Sequence, residues 1–196
     1  MTARAATAAV LGLTLVQLVV ATVFAGDLPQ FEGKGFGARL VTYPLLMLAV
    51  PARWWLTQRR RGEADAPPWA AFCLIMLPFL IDVSGNTLDL YDAVAWWDDA
   101  NHLVNWFLLS AGIGLLLRRA ADLPRWALGW LVAGIGALLA VAWEAAEWYI
   151  FIRHGTELDT AYTDTLGDLV LGCIGGAVAG AVVAWTASTD RVPAAG

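Results

Sequence analysis

Three short stretches carry the side chains that could do chemistry: WWDDANH at 96–102, WEAAEW at 143–148 and DTLGD at 164–168. They place Asp98 and His102 at i and i+4, Glu144 and Glu147 at i and i+3, and Asp164 and Asp168 at i and i+4. On a helix each of these pairs shares one face. Acids gathered around one imidazole repel one another unless they take up protons or a cation holds them ionised. Many carboxylates with a single imidazole and no thiolate suit Mg²⁺, Mn²⁺, Fe²⁺ or a dinuclear Zn²⁺ site better than a cysteine-type zinc site. The expected metal ligands are therefore Asp98, His102, Glu144, Glu147, Asp164 and Asp168. Spacing singles out no catalytic residue among them, beyond the expectation that one carboxylate stays free as general base for water.

Plainer readings stand beside this one. Asp98 and Asp164 begin helical runs, where aspartate is an ordinary N-cap. Capping does not account for His102, Glu144, Glu147 or Asp168, which lie inside such runs; for them the alternative is a structural polar network. Asp92 and Asp99 read as solvated loop charges. Asp82, Asn86 and Asp89 follow at i, i+4 and i+7, so they could line the same cavity, with Asp82 supporting the ligands or relaying protons.

The elements that must hold these residues are membrane helices. Of 196 residues, 59% are hydrophobic and only 15% charged, with 11 tryptophans and a mean hydropathy of +0.63. That is too apolar for a soluble domain of this length. Windows of about 20 residues with few charges fall at 5–25, 36–56, 69–88, 102–117, 126–151 and 165–185. The expectation is an all-α polytopic helix bundle of six transmembrane helices, forming a single membrane domain over 1–196 without repeat, linker or appendage. Val23, Phe24 and Ala25 end the first window in a pattern like a signal-peptidase site, but its apolar run is about twice a signal sequence's core and the chain starts at Met1, so it reads as a retained helix.

Arginine sets the orientation. Arg4, Arg53, Arg59, Arg60, Arg61, Arg118, Arg119, Arg125 and Arg191 fall on one side of a six-span chain, and only Lys34, Arg39 and Arg153 on the other. Both termini are then cytoplasmic. Apart from Glu63, Asp65, Asp122 and Asp190, the acids lie on the outer side, which explains the formal charge of −5 and excludes a nucleic-acid partner. All three acidic stretches come to one slab at the extracytoplasmic end. An ionised carboxylate in a spanning helix costs roughly 3 kcal/mol or more, so Glu144 and Glu147 require partners there. Cys73 and Cys173 lie within spans and read as packing residues. The tryptophans cluster near expected interfaces as aromatic belts. Gly172, Gly175, Gly176 and Gly180 form a small-residue stripe for close helix packing, and Arg59, Arg60 and Arg61 also face anionic lipid.

Asp98-x-x-x-His102, then Trp143-Glu144-Ala145-Ala146-Glu147-Trp148, then Asp164-Thr165-x-x-Asp168 with Gly175-Gly176, resembles the YjdF-like family of small bacterial inner-membrane proteins. It is more distantly similar to VanZ-like proteins. The resemblance covers roughly 91–181 and implies a fold, a set of polar positions and a location in the bacterial inner membrane, but no activity. It departs from the pattern at Asn86, where a histidine is expected. Two functional classes follow from the residues. One is a metal-dependent enzyme hydrolysing or transferring a lipid-linked or phosphate-bearing group at the outer leaflet. The other is a proton- or cation-coupled transporter or channel subunit, against which the unbroken spans weigh. A non-catalytic subunit of a membrane complex, or a homo-oligomer, is the structural alternative.

Overall fold

The computed structural model describes residues 1–62, 65–150, 152–154 and 161–187, without the side chains of Arg59, Arg61 and His154. Among the described residues there are seven α-helices, two short 3-10 turns and no strand. The chain is an all-helical polytopic membrane protein. Five helices are long and apolar enough to cross a bilayer: α1 (Ala3–Val23), α3 (Trp69–Thr87), α5 (Trp97–Ala120), α6 (Arg125–Ile150) and α7 (Ala161–Thr186). The remaining long helix, α2 (Phe36–Arg61), has 26 residues, about 39 Å at 1.5 Å per residue. Its length suffices, but Arg39, Arg53, Pro44 and Pro51 dilute its apolar run, and it is not among the five. The four-residue α4 (Leu90–Ala93) follows α3.

Contacts divide the chain into two compact units, 1–97 and 98–196. In the first, α1 packs mainly on α3 and also on α2. Leu18, Ala21, Phe31, Phe36, Tyr43 and Val83 form its main apolar cluster, with Val10, Met47 and Met76 in another. Polar side chains on these helices find partners inside the unit. Thr7 donates to the Trp69 carbonyl at 3.0 Å, Gln17 to Ser84 at 3.1 Å and Thr22 to the Phe36 carbonyl at 3.1 Å. Trp54, Trp55, Trp69 and Phe72 stack edge-on or tilted, with Arg4 5.8 Å above the Trp69 ring. Beyond the end of α3, the Lys34 ammonium donates to Asp92 at 2.7 Å and holds that carboxyl below its ordinary range. Asp92 is thus an exposed ion-pair partner within α4 rather than a solvated loop charge.

In the second unit, glycines set how closely α5, α6 and α7 approach. A Cβ on Gly172 would meet Trp106 at 2.8 Å and Ala140 at 2.9 Å, one on Gly176 would meet Gly136 at 3.3 Å, and one on Gly180 would strike the Gly129 carbonyl. The pairs 129/180, 136/176 and 140/172 run α6 antiparallel to α7. Gly175 lies against the Leu103 carbonyl and the Phe107 amide, and Gly114 against Val183, so α5 runs parallel to α7. The expected small-residue stripe is therefore a packing seam.

Candidate functional site

The register of that seam decides which polar residues meet. Ser110 of α5 lies against Gly136 of α6; two turns back along α5, and two turns forward along its antiparallel neighbour, the same pairing brings His102 opposite Glu144. The parallel α5/α7 register likewise brings His102 beside Asp168. The observed distances agree. His102 Nδ1 is 3.5 Å from Glu144 Oε1, and His102 Nε2 is 3.6 Å from Asp168 Oδ1 and 3.7 Å from Asp98 Oδ1. Three helices thus converge on one imidazole.

Burial grades the cluster from a deep end to a mouth. The side chains of Glu144 and Asp168 are 4% and 7% exposed, that of His102 is 10% exposed, and that of Asp98 is 47% exposed. Glu147 is half-buried, one turn beyond Glu144 on the same face, and Asp164 is exposed. Two overlapping groups have one potential ligand atom per residue, all within 4.8 Å of one another: Asp98, His102 and Asp168, and His102, Glu144 and Glu147. Asp164 falls outside both but stays within electrostatic range of Glu144 and Asp168.

The helices start earlier than hydropathy suggests, which alters the role of two acids. α5 begins at Trp97 and α7 at Ala161, so Asp98 and Asp164 lie in first turns rather than at caps. A carboxylate there is still favoured by the helix dipole, and Asp98 stands 3.7 Å from His102, one turn below.

Glu144 Oε1 is buried and has no hydrogen-bond donor. The His102 nitrogen beside it is too far for a good N–H···O bond, which spans about 2.7–3.2 Å. Bonds of about 2.1 Å to nitrogen and oxygen would put neighbouring ligand atoms of a tetrahedral cation about 3.4 Å apart. The spacings of 3.5–3.7 Å around His102 lie close to that value.

Sequence reasoning missed the buried neighbours of this cluster. Asn101 is 5% exposed and accepts from Asn105 at 3.1 Å, and Trp106 is 8% exposed and packs over Gly172 beneath Asp168. The asparagines repeat at i and i+4, the same signal used for the acids, but amides carry no charge to attract notice.

Asp82, expected to support the ligands, has its own partners in the first unit. Its Oδ2 accepts from Arg39 and from Tyr43, both at 2.8 Å, and its Oδ1 accepts from Tyr91 at 2.9 Å. Gly85 leaves room for the Tyr91 ring to reach across α3. Asn86, standing where a histidine was expected, is 2% exposed and donates to the Asp82 carbonyl at 3.0 Å.

The family described as "Predicted membrane protein (DUF2238)" matches residues 7–189, and the chain belongs to that family. The YjdF-like resemblance falls within it. No curated protein and no solved structure matches the chain.

Proposed function

We propose that this DUF2238 membrane protein holds a divalent cation among Asp98, His102, Glu144, Glu147 and Asp168, with Asp164 at the mouth. The observation that carries this reading is His102 itself. Carboxylates from three helices flank both of its ring nitrogens at 3.5–3.7 Å, and the most buried of them, Glu144, leaves an oxygen without a donor. In an apolar helix such an oxygen is costly unless something positive satisfies it. A cation supplies that charge, and the donor set of one imidazole with several carboxylates suits Zn²⁺, Mn²⁺, Fe²⁺ or Mg²⁺.

The activity that fits is hydrolysis or transfer of a lipid-linked or phosphate-bearing group at the outer leaflet of a bacterial inner membrane. A bound divalent cation would polarise a phosphoryl or carbonyl oxygen. Asp98, nearly half-exposed at the mouth, is the carboxylate that solvent and substrate reach, and the one placed to hold a proton during that step. The charge layout of the second unit supports the outward orientation: Arg118 and Arg119 close the far end of α5, and Arg125 opens α6, while the acids crowd the opposite end.

Elemental analysis of the full-length chain, purified in detergent without chelator, tests the reading. Stoichiometric divalent metal is expected, falling at least tenfold in His102→Ala and by half or more in Asp168→Asn. Metal at background level in the parent chain, or equal loading in all three, would reject it.

A further inference from the structure

The two carboxylate sets lie on opposite nitrogens of one ring. Asp98 and Asp168 face Nε2, while Glu144, grouped with Glu147, faces Nδ1. The ring's nitrogen lone pairs diverge, so an ion bound at one nitrogen cannot be bound by the other. We propose that His102 bridges two divalent cations, an outer one held by Asp98, Nε2 and Asp168 and an inner one held by Nδ1, Glu144 and Glu147. This rests on the reading above that the cluster binds divalent metal.

Each half is a complete three-ligand set, with its ligand atoms within 4.8 Å of one another. Three protein ligands with an open position are what a catalytic zinc-type site requires. A single ion at Nε2 would leave Glu144 Oε1 buried with no donor, because the Nδ1 distance of 3.5 Å is too long for an effective N–H···O bond. An ion at Nδ1 satisfies that oxygen directly. Charge agrees: with two divalent ions, four carboxylates and a bridging imidazolate keep one uncompensated negative charge, whereas one ion with a neutral imidazole leaves two. Binding of the second ion displaces the remaining ring proton, which passes to solvent. With metal–nitrogen bonds of about 2.1 Å on each side of the ring, the ions would lie about 6 Å apart.

Burial separates the roles of the two ions. Asp98 opens the outer site to solvent, with 47% of its side chain exposed, while Glu144 at 4% closes the inner one. The outer ion is then the exchangeable one that meets a substrate oxygen. The inner ion locks α5 to α6.

The test loads the full-length chain, stripped with chelator, with Cu²⁺ alone and follows both stoichiometry and the electron paramagnetic resonance signal. Two ions per chain are expected, with the second quenching the signal of the first through the bridging ring. Glu144→Gln and Asp168→Asn, which keep His102, should each bind one ion with an unquenched signal. Two ions that never couple, or saturation at one ion, would overturn the bridge while leaving a single cation site intact. No binding at all would overturn both readings. The titration of the parent chain decides the matter even if a variant fails to fold.

Discussion

Asp82 and Glu144 are both carboxylates inside apolar helices, and their surroundings offset the burial in different ways. Asp82 accepts from Arg39, Tyr43 and Tyr91, a closed set of charge-assisted bonds. Glu144 has a histidine at 3.5 Å and an oxygen without a donor. The first is a structural solution and the second invites a ligand. Arg39 and Asp82 are only 16% and 19% exposed, so removing one partner strands the other. Arg39→Met should cost about 3 kcal/mol, read by denaturant unfolding in micelles, and pairing it with Asp82→Leu should recover much of that loss. A cost below about 1 kcal/mol for the single change would show the pair to be energetically idle. His102, Glu144, Glu147 and Asp168 were legible in the sequence because local spacing put each on a helix face. Arg39 was legible only as a charge in the topology count. Its pairing with Asp82 joins residues far apart in sequence, and no local pattern encodes such a contact.

At the scale of helices, the seam between α5, α6 and α7 is what brings the acids to one histidine. Gly175 lies against the backbone of Leu103 and Phe107, which cannot move aside as a side chain tip could. Gly175→Ala should therefore destabilise the chain by about 1–3 kcal/mol and lower metal loading with it, by parting α7 from α5. Gly134 on α6 has nothing within 4 Å of an added Cβ, so Gly134→Ala should be neutral or stabilising by up to about 1 kcal/mol. Thermal unfolding of the two variants side by side checks this, and equal melting temperatures would contradict the role given to the seam. The stripe Gly172, Gly175, Gly176 and Gly180 announced close packing in the sequence, though not its partners. Helix starts were less legible. Hydropathy discounts polar first turns, so α5 reads from 102 in the sequence but begins at Trp97. The five residues gained carry Asp98 and place it in the first turn rather than at the cap, on the face that its spacing from His102 already indicated.

Over the whole molecule, large apolar side chains remain exposed where a soluble protein would bury them: Trp130 is 76%, Leu138 71% and Trp185 72% exposed. A bilayer covers such a surface. Five helices meet the length and apolarity of a span and α2 does not, yet arginine asymmetry requires α2 to cross if both termini are cytoplasmic. The sequence count of six spans included 36–56, where Pro44, Pro51, Arg39 and Arg53 weaken the α2 run without shortening it. A reporter fused after Gly196 and another placed before Met1 should both report the cytoplasm; opposite sides would mean an odd number of crossings and α2 lying in the interface. A divalent cation on His102 would show in the melting temperature of the full-length chain with and without chelator. A ligand at a hundredfold its dissociation constant adds about 2.7 kcal/mol, or about 5–10 °C for a chain of this size. Chelation should lower the melting point by that amount, Zn²⁺ or Mn²⁺ should restore it, and His102→Ala should show no response. A melting point that chelator and added metal leave unchanged, with His102→Ala behaving like the parent chain, would contradict it.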